Sequence, residues 1–136
     1  MGLDLIATGF DGSVRIGYMS FGSYRRAVAK SYNKEFGNIY EKWYKSGLIE
    51  SFKLTEVECQ RWNEISDDDL DILLTHSDCD GQMSVDECKK VYKALSKIDF
   101  KPDVNAEFNE RLLRYHDNVL GILRHCIKRK VILKFV

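Results

Sequence analysis

Hydrophobic spacing divides the chain into stretches of different period. Leu3-Asp4-Leu5-Ile6-Ala7-Thr8 and Val14-Arg15-Ile16-Gly17-Tyr18-Met19 read as two short strands. Between them, Phe10-Asp11-Gly12-Ser13 carries the Asp-Gly pair favoured in hairpin turns, so the strands are expected to pair antiparallel. From Ser20 the period becomes helical. Phe21, Tyr24, Ala27, Val28, Tyr32 and Phe36 fall on one face, and Arg25, Arg26, Lys30 and Lys34 take the other. This predicts a helix over residues 21–35 with Gly37 as its stop. Ile39, Tyr40, Trp43 and Tyr44 predict a second, short helix before Ser46-Gly47.

Helix-start chemistry marks the next elements. Thr55-Glu56-Val57-Glu58 is a capping box opening a short helix towards Trp62. Ser66-Asp67-Asp68-Asp69 opens another, with acids in the first turn where the helix dipole favours them and Leu70, Leu73 and Leu74 as its buried side. Ser84-Val85-Asp86-Glu87 is a second capping box, followed by a Val85, Cys88, Val91, Tyr92 and Leu95 stripe. Pro102 then breaks the chain, and Asp103 or Asn105 caps a long helix. There Phe108, Leu112, Tyr115, Val119, Ile122 and Cys126 form either a core stripe or a partner seam, so self-association through residues 108–126 is one expectation. Gly121 in mid-helix costs up to about 1 kcal/mol against alanine and would mark a close packing contact. His116 and His125, among many charges on this helix, are expected at the surface. Residues Val131 to Val136 read as a strand joining the hairpin.

The predicted fold class is therefore α+β, helix-rich: a small antiparallel sheet, made of the N-terminal hairpin and the C-terminal strand, packed against several helices. With 136 residues this is one domain, residues 1–136. The 21 Lys+Arg balance 21 Asp+Glu, which argues against bulk electrostatic binding to nucleic acid. No apolar run approaches a membrane span. Met1-Gly2-Leu3-Asp4 puts an acid where a signal peptide carries positive charge, so the expected compartment is the cytoplasm and Cys59, Cys79, Cys88 and Cys126 are expected as reduced thiols. A zinc set drawn from His76, Cys79, Cys88 and His116 or His125 matches no standard finger spacing.

Two stretches carry candidate chemistry. His76-Ser77-Asp78-Cys79-Asp80-Gly81-Gln82-Met83-Ser84-Val85-Asp86-Glu87 resembles the twelve-residue loop of an EF-hand. Asp78 and Asp80 stand at its third and fifth positions, Gly81 at the sixth, Ser84 at the ninth and Glu87 at the twelfth. On this alternative reading His76, Asp78, Asp80, Ser84 and Glu87 hold a divalent metal. However, His76 replaces the leading aspartate, and a hard cation prefers oxygen to imidazole nitrogen. The competing reading is a tight Asp-Gly turn feeding a capped helix.

The second stretch runs from a strand into a helix, at Gly17-Tyr18-Met19-Ser20-Phe21-Gly22-Ser23-Tyr24-Arg25-Arg26. Helix N-termini present unpaired amides and partial positive charge, which suits phosphate. Ser20 and Ser23 add hydroxyls, Gly22 admits a ligand to the backbone, Arg25 and Arg26 would clamp an anion, and Tyr18 and Tyr24 would stack a base. It is neither a P-loop nor a dinucleotide fingerprint. The bland reading is an ordinary Ser-capped helix with arginines on a wet face.

The opening Met1-Gly2-Leu3-Asp4, the Phe21…Arg25-Arg26 helix, and His76-Ser77-Asp78-Cys79-Asp80-Gly81 followed by Glu87-Cys88 resemble a family of uncharacterised small proteins of bacterial, prophage and phage genomes. The resemblance implies that the His-led loop is a family pattern. By class-level analogy it also suggests a phage counter-defence protein that sequesters a nucleotide immune signal. No nucleophile, base and oxyanion constellation is legible, so no catalytic residue is assigned. The expected function is a non-catalytic binding protein for a small anionic, nucleotide-type ligand. The alternatives are a divalent-metal module at residues 76–87, with that metal as the one candidate cofactor, and a protein–protein adaptor.

Overall fold

Alternate leucines decide the sheet. A computed structural model describes residues 2–46, 53–77 and 80–136, with backbone alone at Tyr18 and Met19. In strand β1 (Gly2–Ile6) Leu3 and Leu5 are buried while their neighbours are partly covered, as a period of two requires. β1 pairs antiparallel with β2 (Val14–Gly17), Leu3 opposite Ile16 and Leu5 opposite Val14. The connection spans residues 7–13 and is longer than a two-residue turn. It bends at Gly9 and Gly12, whose φ of 81° and 74° favour glycine. On its other edge β1 pairs with β4 (Leu133–Phe135), where Leu133 and Phe135 are buried around an exposed Lys134. The C-terminal strand therefore joins the hairpin as expected. A further strand, β3 (Gln82–Met83), lies beyond it in the order β2-β1-β4-β3, all antiparallel. The sequence pattern treats these two residues as loop, because so short a strand carries no period.

Helix α1 (Tyr18–Tyr32) starts directly after β2, three residues earlier than its apolar stripe suggests. It ends at Asn33, whose φ of −161° is extended and whose side chain accepts from the Phe36 amide. Helix α2 (Lys34–Ser46) begins at once. Gly37 is thus not a stop but an interior residue of α2, and Phe36 belongs to the second helix. A Cβ on Gly37 would stand 2.6 Å from Lys30 Cα and 2.9 Å from Lys30 N. The glycine lets two helix backbones nearly touch.

Both capping boxes form. Thr55 caps α3 (Glu56–Ile65) with Glu58, and Ser84 caps α5 (Val85–Ser96) with Glu87. Asp67, not Ser66, caps α4 (Asp68–Leu74), and Asn105 caps α6 (Ala106–Arg129). The six helices and four-stranded sheet found among the described residues make a helix-rich α+β fold. One apolar core runs from Leu3 to Phe135 and includes Leu112, Tyr115, Val119, Ile122 and Cys126 of α6, so the stripe of this helix faces inward. No described helix is long and apolar enough to cross a membrane.

Replacing Gly37 with alanine should force α1 and α2 apart. Urea unfolding of Gly37→Ala is expected to show a loss of about 2 kcal/mol. Glycine at an uncrowded helix position would instead gain from the same change.

Candidate functional site

The corner where β2 becomes α1 opens on a hollow of about 380 Å³. Gly17 and Ser20 form its lip, and α6, which packs against β2, forms the facing wall. Arg15, Arg111 and Arg114 line it together with Asn118, and no acid is among the lining residues. Ile16, Phe108 and Leu112 supply an apolar floor. Arg15 contacts Asp4 at 3.1 Å and Arg114 contacts Glu110 at 3.7 Å, both near the surface, while Arg111 makes no ion pair among the described residues. Tyr115 completes the wall. It is 5% exposed, and its buried hydroxyl has no hydrogen-bond partner among the described residues. Burial holds this phenol well above its ordinary range, against a smaller opposing pull from Arg25, so it is a neutral donor at pH 7.

The helix end at this hollow is open. Gly17 is the N-cap of α1 and offers no side chain to its amides, and the first turn carries no acid. The four other helices with a defined N-cap, α3, α4, α5 and α6, have a capping side chain. Uncapped amides in a cationic recess are a place for negative charge.

Of the residues expected at this corner, Ser20 lines the hollow, and most of the others face elsewhere. Arg25 is 5% exposed. Its Nη1 donates to the carbonyls of Leu74 at 3.2 Å and His76 at 2.6 Å, with Leu73 more distant at 3.4 Å. It therefore caps the C-terminus of α4, where unpaired carbonyls attract a cation. Arg26 lies over the Tyr44 ring at 5.0 Å and donates to the Gly22 carbonyl and the Ser23 hydroxyl. Ser23 and Arg26 border a separate recess shared with Lys30, Glu41, Lys101 and Asp103, where charges of both signs meet. Gly22 is approached by Tyr44, not left open: a Cβ there would stand 2.7 Å from Tyr44 Cζ. Tyr24 is fully buried and bonds His116 Nδ1 at 2.8 Å. The side chain of Tyr18 lies outside the described residues.

His116 corrects the surface expectation. It is 8% exposed and stacks on Phe100 at 4.4 Å, a site where both ring and hydrogen bond are satisfied. Burial lowers its pKa, with a smaller opposing effect of Asp117. His125 is partly covered, with Nε2 2.9 Å from the Thr8 carbonyl oxygen.

The loop after α4 is built from its own contacts. His76 stacks on Phe135 at 3.8 Å, and its two ring nitrogens stand 2.9 Å from the Ser77 carbonyl and 3.2 Å from that of Gln82. Ser84 and Glu87 are joined in the capping box, Asp80 is exposed, and Asp78 and Cys79 lie outside the described residues. Among the described residues no three His, Cys, Asp or Glu side chains stand together as metal ligands. Cys88 and Cys126 are unbridged, and burial pushes the Cys88 thiol up to about 12. Cys59 is exposed.

Arg15, Phe108, Arg111, Arg114, Tyr115 and Asn118 were missed as site residues. Arg111, Tyr115 and Asn118 recur at steps of four and three, a helical face legible in the sequence, but its return onto the hairpin is tertiary. No protein-family model, curated protein or solved structure matches the chain.

Two outcomes follow from this geometry. Arg25→Met should cost about 2 kcal/mol in urea unfolding, since it takes the Arg25 donor from the His76 carbonyl and leaves the Leu74 carbonyl to Tyr40 alone. For His116, the folded form binds its proton less readily than the unfolded form. Its contribution to stability is present above the unfolded value of about 6.5 and is lost as pH falls below it. Melting temperature should therefore drop more steeply from pH 7 to pH 5 in the natural chain than in His116→Gln.

Proposed function

We propose that the chain binds a small anionic ligand of nucleotide type in the hollow between the β2–α1 corner and α6, and holds it without turning it over. The observation that carries this reading is the convergence of Arg15, Arg111 and Arg114 on one recess beside an uncapped helix end. Guanidinium groups grip phosphate through paired N–H donors. The floor of Ile16, Phe108 and Leu112 suits the apolar face of a base or sugar. Asn118 adds a polar group that can read the ligand's edge. A recess of this volume is in the range of small-molecule sites. Its lining has no histidine, cysteine or carboxylate to act as nucleophile or base, which favours capture over catalysis. Taken with the resemblance to phage-associated proteins, sequestration of a nucleotide signal is the role this reading supports.

A thermal-shift screen over mononucleotides, cyclic nucleotides and oligonucleotide second messengers tests it, followed by calorimetry on any hit. Arg111→Ala should weaken binding at least about tenfold, the value of one charge-assisted contact. Arg26→Ala, whose side chain borders another recess, should leave affinity unchanged. A screen in which inorganic phosphate and every nucleotide leave the melting temperature unmoved rejects the proposal.

A further inference from the structure

On its outward side α6 leaves Leu113 exposed and covers Leu120 and Ile127 only in part against the core. Leu113 is 45% exposed. With Leu120 and Ile127 it recurs at steps of seven, which keeps the three on one side of the helix. Asp117, Gly121, Arg124 and Lys128 stand beside them at helical spacing. Towards its C-terminus this side opens into a groove of about 470 Å³ against α5, floored by Tyr92 and Ile127 and rimmed by Lys89, Arg124 and Lys128.

Gly121 points to a close neighbour. A Cβ built on it meets no atom of the described residues within 4 Å, so no packing among them requires glycine. Alanine would favour the helix by about 1 kcal/mol. A glycine on the partly covered middle of a long helix lets a second backbone come close.

The charges indicate which one. Before Gly121, α6 carries the acids Glu107, Glu110 and Asp117 together with Arg111 and Arg114, a net charge of −1. Residues 118–136 carry Arg124, Lys128, Arg129, Lys130 and Lys134 and no acid. Neither Asp117 nor Arg124 makes an ion pair among the described residues. The helix is weakly acidic before Gly121 and basic after it, and Asp117 with Arg124 complement each other when one helix lies reversed against another.

We propose that α6 pairs antiparallel with α6 of a second copy of this chain, across a two-fold axis beside Leu120 and Gly121. A residue some number of positions before the axis then meets one as many positions after it. Asp117 falls against Arg124 of the partner subunit, and Leu113 against the partner's Lys128, next to the partner's Ile127. Because a two-fold contact is isologous, each pair occurs twice. A parallel pairing would instead set Asp117 against Asp117 of the partner subunit, where like charges repel. The cationic hollow stays outside this contact, since none of these residues lines it.

Sedimentation equilibrium of the full chain from about 1 to about 100 µM reads the association directly. The natural chain is expected to dimerise in this range. Asp117→Arg and Arg124→Asp should each weaken the dimer at least about tenfold, and the double reversal should restore it. Gly121→Leu should give a monomer with unchanged circular dichroism. A natural chain that stays monomeric to about 100 µM, or a double reversal no tighter than either single one, overturns the proposal. So does a monomer that binds an acidic peptide or single-stranded RNA through Arg124, which would assign the face to that partner.

Discussion

One buried guanidinium ties the layers of this fold together. Arg25 leaves α1, passes over the Phe21 ring at 4.5 Å and ends on the carbonyls that close α4. Tyr40 of α2 donates to the same Leu74 carbonyl at 2.7 Å. Both helices of the first pair are therefore anchored to a single helix end, and the chain beyond it leads through His76 to β3. Those carbonyls lie where water does not reach easily, and an unpaired buried acceptor is costly. Arg25 is consequently an architectural residue, and its neighbours inherit their positions from it.

That assignment changes where the positive charge of the binding recess originates. The first helix contributes amide dipoles and a hydroxyl, while the cations come from β2 and from α6. Two of the three arginines already hold a nearby carboxylate at the surface, where such pairs are weak and screened by salt. On the proposed function, a phosphate entering the recess would exchange a loosely held partner for a better oriented one. The surrounding acids, Asp4 and Glu110, then set how much that exchange gains.

Local chemistry was read well from the chain, and long-range chemistry was not. Thr55 with Glu58 and Ser84 with Glu87 announce their helices because a capping box is complete within four residues. The Leu70, Leu73 and Leu74 side of α4 and the stripe of α6 followed from period alone. Gly37 misled because a glycine that ends a helix and one that admits a neighbouring helix look identical until the neighbour is placed. Arg25 and Arg26 misled for a related reason. Adjacent arginines on a helix point in different directions, and only the packing of α4 and α2 decides what each one meets. The corner at Ser20 was visible, but its cationic wall is supplied by residues about ninety positions away.

The sheet places one further demand on the molecule. Its two inner strands, β1 and β4, lie at opposite ends of the described chain, with Leu5 beside Phe135. During synthesis the hairpin of β1 and β2 leaves the ribosome before the helices and β4, and a two-stranded ribbon on its own is marginal in water. The helices that follow emerge before the Phe135 ring against which Phe21 packs at 6.5 Å. Closure of the core must therefore await the last strand, so a nascent chain stalled within α6 would expose its apolar interior to chaperones and proteases.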